Sequence, residues 1–167
     1  YWIREIGDED AGKCFRFLTD FTEDEIVDLE NGDPREAKKT LASAMTKLVH
    51  GEAGLQKAAR ATDILFGKEV TKDDADALSG IANDIPNGEI ERSDLGGDGI
   101  NVIDAFVKTP IAKSKGEVRR TLQQGGINVN NVKIADIDHS LSEKDLIGDS
   151  MILLRSGKKN YAILKVI

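Results

Sequence analysis

Residues 114–130 read SKGEVRRTLQQGGINVN. Ser114, with Glu117 three positions on, is a capping box that opens a helix, and Gly125-Gly126 closes it. Val118 and Leu122 lie four apart and mark the inward face. Lys115, Arg119 and Gln123 share the same spacing and line one exposed edge, with Arg120 beside them. After the double glycine, Ile127-Asn128-Val129 and Val132-Lys133-Ile134 alternate around Asn130-Asn131, a pair that tolerates the positive φ of a tight hairpin turn. Helix, glycine stop and hairpin predict a small α+β unit.

Towards the C-terminus, residues 150–155 and 161–167 are β-rich runs separated by Ser156-Gly157-Lys158-Lys159-Asn160. Towards the N-terminus, Asn101 to Lys108 is a short helix that Pro110 ends. Ile85-Pro86-Asn87-Gly88 and Gly96-Gly97-Asp98-Gly99 are breakers, with a possible short strand at Glu89 to Glu91 between them. The first eighty residues are helical. Asp8 is a candidate cap for a helix through Ala11, Cys14, Phe15 and Leu18. Thr22 with Glu25, and Asp33-Pro34 with Glu36, are two further capping boxes. Ala37, Leu41, Ala44, Met45, Leu48 and Val49 form one apolar stripe stopped by Gly51. Leu55, Ala58, Ala59, Thr62, Leu65 and Phe66 form another, stopped by Gly67. Thr71 through Ala82 is a last short helix. The expected fold class is α+β: an all-helical domain over 1–84, a linker over 85–99, and a domain over 100–167 with two helices on a small, mostly antiparallel sheet. A hinge is expected near residues 86–99.

A chain of 167 residues, 40% apolar and 32% charged, fits a soluble globular protein of one domain or two small ones. No run approaches the roughly 18 apolar residues of a membrane span. The opening Tyr1-Trp2-Ile3-Arg4 lacks a starting Met and a signal-peptide pattern, which predicts a piece of a longer protein. The one cysteine, Cys14, has no internal disulfide partner, so a reducing, cytoplasmic setting is expected. Aromatic content of 5% argues against base stacking as the main binding device.

A net charge of −7 argues against a nucleic-acid partner, but its distribution argues for one. Residues 1–100 carry 12 Lys+Arg against 23 Asp+Glu, a net −11, whereas residues 101–167 carry 11 against 7, a net +4. Two readings fit: an acidic scaffold joined to a cationic binding module, or helices that drew acids where strands did not. Between 105 and 135, Lys108, Lys113, Lys115, Arg119, Arg120 and Lys133 face one acid, Glu117. Glu117 is itself engaged if it completes the capping box. The N-terminal N–H groups of the helix add an anion site. Such a ridge suits double-stranded RNA, which is gripped by shape, phosphate and 2′-hydroxyl. A solvated helix face is the other reading of the same spacing.

The run from Ser114 to Asn130 resembles the signature of the S-four-type RNA-binding domain, with Val118 in place of a usual Ala and Asn131 in place of the usual turn Gly. Leu48-Val49-His50-Gly51-Glu52, then Ala58, Ala61 and Leu65-Phe66-Gly67, is similar to the helical anticodon-binding region of bacterial tyrosyl-tRNA synthetases. The closing Leu153 to Tyr161 resembles the end of those enzymes, where Arg-x-Gly-Lys-Lys-Asn-Tyr is typical. The opening Tyr1-Trp2 with Asp8-Glu9-Asp10 looks like the segment past their ATP-binding loop. The resemblance covers nearly the whole chain. It implies a class I aminoacyl-tRNA synthetase as the parent protein, an ATP-dependent ligase that charges tRNA for protein biosynthesis. His-Ile-Gly-His and Lys-Met-Ser-Lys-Ser, that family's chemistry motifs, are absent, so no catalytic residue and no cofactor are expected here; ATP and tyrosine would bind a separate catalytic domain. The implied partner is tyrosine tRNA, held at its anticodon stem and long variable arm. DNA and membrane are not expected partners. The implied parent is a homodimer through its catalytic domain, and the fragment is expected to be a monomer. The resemblance assigns RNA contacts to Lys113, Ser114, Lys115, Arg119, Arg120, Gln123, Asn128, Lys133, Arg155, Lys158, Lys159 and Asn160. Gln123, Asn128 and Asn160 can equally hold turns.

Other candidates read as structural. His50 precedes a helix-ending Gly and is expected to cap the last carbonyls. His139 is a loop residue with too few convergent ligands for a metal, so no metal site is expected. Cys14 is on an apolar face, and Glu23-Asp24-Glu25 is a helix start favoured by the dipole. Trp2 is either core or a contact with a catalytic domain. Three other functions remain to be weighed: a pseudouridine synthase, which would need a catalytic Asp in a domain too large for this chain; a ribosome-associated heat-shock-type factor following ribosomal RNA; and a protein-interaction module working through the acidic half.

Overall fold

The computed structural model describes residues 5–167, so Tyr1 and Trp2 lie outside the described residues. The chain forms two units, Tyr1–Ala58 and Ala59–Ile167.

In the first unit, helix α1 spans Asp8–Leu18, α2 Glu23–Asn31, and α3 begins at Pro34 and runs to Leu65. Asp8 does not cap α1. Gly7 holds that position, and the Asp8 carboxylate pairs instead with Lys38 at 2.6 Å. The Thr22–Glu25 box is complete: the Thr22 N–H donates to Glu25 Oε2 at 2.8 Å, and the Glu25 N–H donates to Thr22 Oγ1 at 3.4 Å. Asp33 caps α3 by accepting from the Arg35 N–H at 2.8 Å, but Glu36 pairs with Lys39 at 2.6 Å. Phe15, Ile26, Leu41 and Met45 bury the apolar faces of the three helices against one another, and Phe21 meets Phe15 edge-on. The stripe on α3 ends at Met45; Leu48 and Val49 are 67% and 68% exposed. Gly51 interrupts α3 with φ 71° and ψ −179°, a conformation that costs a glycine little. His50 beside it is exposed, and among the described residues its side chain makes no hydrogen bond to the helix carbonyls, so it does not cap the helix.

The second unit takes in the end of α3, a 3₁₀ turn over Lys72–Asp74, and α4 over Ala75–Ile81. Strand β1 (Asn87–Ile90) follows, then β2 (Ile100–Asn101), α5 (Val102–Val107), α6 (Lys115–Gln123), β3 (Ile127–Val129), β4 (Val132–Lys133), β5 (Ser140–Leu141), β6 (Met151–Ser156) and β7 (Asn160–Val166). The main sheet has the order β1-β7-β6-β3-β4, antiparallel except for the parallel pair β1–β7. β2 and β5 form a separate pair.

Strand β6 explains the layering. Ile152 and Leu154 face a core shared with Phe106 of α5 and Val118 and Leu122 of α6. Met151 and Leu153 face a second core shared with Ala61 and Ile64 of α3 and Leu78 of α4. An uninterrupted apolar run is what a strand covered on both faces requires. Residues 59–84, grouped by sequence with the helical half, therefore pack on the sheet. Ala61 and Ile64 are buried and Leu65 is partly buried beside them, whereas Ala58, Ala59 and Thr62 of the expected stripe are exposed. The expected linker is built into the same unit: β1 lies beside β7, Ile90 and Leu95 are buried, and the Arg92 N–H donates to the Ile167 carbonyl at 3.0 Å. Residues 86–99 are thus not a hinge between the two units.

Candidate nucleic-acid interface

Helix α6 is fixed at both ends by local bonds. The Ser114 Oγ accepts from the Glu117 N–H at 3.2 Å, and the Glu117 carboxylate accepts from the Lys113 N–H at 3.0 Å. The reciprocal bond of the box therefore reaches one residue further back than expected, and it fixes the approach to the helix along with its cap. At the other end Gly125, with φ +71°, donates to the Leu122 carbonyl and Gly126 to the Thr121 carbonyl, each at 2.8 Å. This is a Schellman termination, which only a residue free to take a left-handed φ completes cheaply. A Cβ on Gly126 would stand 2.9 Å from Thr121 Cγ2, so the second glycine is needed for space.

Val118 and Leu122 are buried, which turns Arg119, Arg120 and Gln123 out to solvent. Lys113, Arg119 and Arg120 have no carboxylate partner among the described residues. Lys115 differs: its ammonium sits 2.5 Å from Asp104 of α5, so its charge is already partnered. Ser114 is occupied as the cap.

The β6–β7 loop docks on the helix stop. The Gly157 N–H donates to the Gly126 carbonyl at 2.7 Å, which carries exposed Lys158, Lys159 and Asn160 to the C-terminal end of α6. Lys133 comes to the same end from β4, with Nζ close enough that a Cβ on Gly125 would stand 2.5 Å from it. Gln123, Gln124, Lys133 and Asp136 line an open hollow there of about 490 Å³.

Asn128 does not belong to this surface. It is 7% exposed on β3, because Ile127 and Val129 face the α6 side and the residue between them points the other way. Arg155 is paired with it across the strands and lies on the same face, opposite α6. The guanidinium is half-buried over the Tyr161 ring at 5.7 Å and donates to Tyr161 Oη at 3.2 Å. The residues assigned to RNA contact are thus divided between two surfaces on opposite sides of the sheet, joined at the Gly126–Gly157 contact, and Asn128 is absent from the expected ridge.

The hairpin turn has the expected backbone and, in addition, side-chain bonds to distant segments. Asn130 and Asn131 both adopt left-handed φ, 50° and 65°. Asn131 Nδ2 also donates to the Ile64 and Lys68 carbonyls, each at 2.8 Å, and so caps the end of α3. Asn130 Oδ1 accepts from the Leu153 N–H at 2.9 Å. Phe66 was missed as well. Counted in an apolar stripe, it is 85% exposed. Its place directly before Gly67, one position off the Ala61–Leu65 spacing, is the signal that separates it.

The family described as the tyrosine–tRNA ligase SYY-like C-terminal domain matches residues 77–164. The chain is 41% identical over 171 residues to the tyrosine–tRNA ligase of Rhodopirellula baltica, covering 99% of this chain and 39% of that protein. It is 37% identical over 172 residues to that of Roseiflexus castenholzii, covering 100% and 40%. It is 40% identical over 164 residues to that of Clostridium tetani, covering 96% and 37%. The chain spans about two-fifths of the length of these curated relatives.

Proposed function

The chain belongs to the tyrosine–tRNA ligase family, and from that premise we propose that it is the tRNA-gripping C-terminal part of such a ligase. The observation that carries this reading is α6 itself. Its exposed edge offers Arg119 and Arg120 without acid partners, Lys113 leads into it, and its stop is hydrogen-bonded to the loop bearing Lys158 and Lys159. In a chain of net charge −7, an unpaired cationic strip fixed at both helix ends is suited to a polyanion. The helix places its arginines on duplex phosphates, while Gln123 and Gln124 supply neutral donors and acceptors for 2′-hydroxyls. Lys115 contributes less, since it would have to leave Asp104.

The tRNA is tyrosine tRNA, gripped at its anticodon stem and long variable arm, as the family resemblance implies. ATP and tyrosine are handled by the part of the ligase outside this chain, so the chain alone forms no aminoacyl adenylate. It works in the cytoplasm and is monomeric by itself, with dimerisation left to the remainder of the ligase; DNA and membrane are not partners. Titrating isotope-labelled protein with a tyrosine tRNA transcript tests the assignment. Amide resonances of residues 113–126 and 157–160 should shift together. No shifts above background would sink it in favour of a protein-interaction module, and equal shifts with a ribosomal RNA hairpin would favour a ribosome-associated factor.

A further inference from the structure

Along the edge of α6, Lys113, Arg119 and Arg120 have no carboxylate partner among the described residues, whereas the Lys115 ammonium sits 2.5 Å from Asp104 Oδ1 on α5. We propose that Asp104 attenuates the RNA grip: it competes with RNA phosphate for Lys115 and so holds down the sequence-independent part of the affinity. The inference rests on the RNA-binding reading above and adds to it a residue that works against binding.

Three observations converge. The first is that both backbones are fixed. Asp104 sits between Ile103 and Ala105, which are buried in the core, and Lys115 directly follows the Ser114 cap of α6. Keeping acid and ammonium together therefore orders only two side chains and no backbone. The second is the state of the carboxylate. Asp104 Oδ1 is covered from solvent and, among the described residues, accepts no hydrogen bond, so the Lys115 ammonium is what compensates it. Moving that ammonium to a phosphate leaves the oxygen covered and unpaired, which is costly. The third is access. The Lys115 and Asp104 side chains are 56% and 43% exposed, so a phosphate that approaches the ammonium also meets the carboxylate. Like charges a few ångströms apart repel even beside water. Glu117, the other acid at the start of α6, does not act in this way, because its carboxylate is engaged by the Lys113 N–H. The arginines further along the helix are left free, so the acid weakens one contact and spares the others. Phosphate contacts add affinity for any RNA and carry no sequence information, and that is the part of binding Asp104 reduces.

The test is fluorescence anisotropy with a labelled RNA duplex of unrelated sequence and with a tyrosine tRNA transcript, each at several salt concentrations. Asp104→Asn should bind the duplex about fivefold more tightly at 50 mM salt. One added phosphate contact steepens the salt slope by about 0.9, so this gain should shrink about three- to fourfold at 200 mM. Asp104→Glu, which keeps the acid, should bind as the wild type does. In a Lys115→Ala background, Asp104→Asn should give no gain. Should Asp104→Asn lower the melting temperature, Asp104→Ser, smaller and also neutral, is read in its place. Unchanged or weaker binding by the neutral variant would overturn the inference. So would an equal gain with and without Lys115, which would make Asp104 one surface charge among many. In either case a loss of affinity in the Arg119→Ala, Arg120→Ala double variant would leave the RNA-binding reading standing. Wild-type protein that binds neither RNA would overturn both.

Discussion

Replacing Arg119 and Arg120 together by Ala removes two exposed guanidinium groups that have no carboxylate partner among the described residues. Neither change opens a cavity, because Val118 and Leu122 supply the packing of α6. Thermal stability should therefore move by no more than about 0.5 kcal/mol. Binding should change in a specific manner. Each phosphate contact contributes about 0.9 to the slope of log affinity against log salt for a duplex, so losing two should flatten the slope by roughly 1.8. Between 50 and 200 mM salt, a fourfold change, the ratio of wild-type to variant affinity should then shrink by about twelvefold. Filter binding of a tyrosine tRNA transcript across five salt concentrations measures this directly. Lys115→Ala is the internal comparison, and its slope change should be smaller because Asp104 already neutralises that ammonium. Parallel lines for the double variant and the wild type would refute the reasoning and leave α6 a solvated face.

Asn131→Gly should destabilise the second unit by about 1–2 kcal/mol by chemical denaturation, since the lost bonds to the Ile64 and Lys68 carbonyls outweigh the relief of a left-handed φ. Leu153→Ala should cost about 2–5 kcal/mol, because the side chain is fully buried between β6 and the helices over its face. Asp74 is held by hydrogen bonds from Arg60, which lower its carboxyl to about 2 from an ordinary 3.8. A depressed folded-state value stabilises the protein above the ordinary one, so roughly 2 kcal/mol should be lost as pH falls from about 4 through 2. Asp74→Asn should remove that part of the acid transition in a pH series of unfolding curves. Gly126→Ala should lower the melting temperature and weaken tRNA binding together, since a Cβ 2.9 Å from Thr121 Cγ2 disturbs the stop on which the Lys158–Lys159 loop sits.

What could be read from the sequence was what depends on near neighbours. Ser114, Glu117 and the double glycine specify the limits of α6 within thirteen residues, and Asn130-Asn131 specifies the turn, so both were legible. The same holds for Thr22 with Glu25. Asp8 failed as a cap because its preferred partner, Lys38, lies thirty residues away. The Lys115–Asp104 pair likewise joins two helices and leaves no trace in the spacing of either. The layering of the second unit was hidden for a related reason. The run Met151-Ile152-Leu153-Leu154 announces a strand covered on both faces but does not say by what, and Ala61, Ile64 and Leu78 supply the second cover. Once that cover is in place, Asn128 is turned inward and Arg155 is set apart from the arginines of α6. A cationic residue list could not divide itself between two faces of a sheet; strand register does.

Affinity for tyrosine tRNA transcripts with and without the long variable arm, each at 50 and 200 mM salt, decides whether the proposed grip on the duplex parts of tyrosine tRNA exists. Removing the arm should weaken binding at both salts, and the loss should be much reduced when Arg119 and Arg120 are Ala. Equal affinity for the two transcripts, abolished alike by the higher salt, would contradict it and leave only a generic cationic surface.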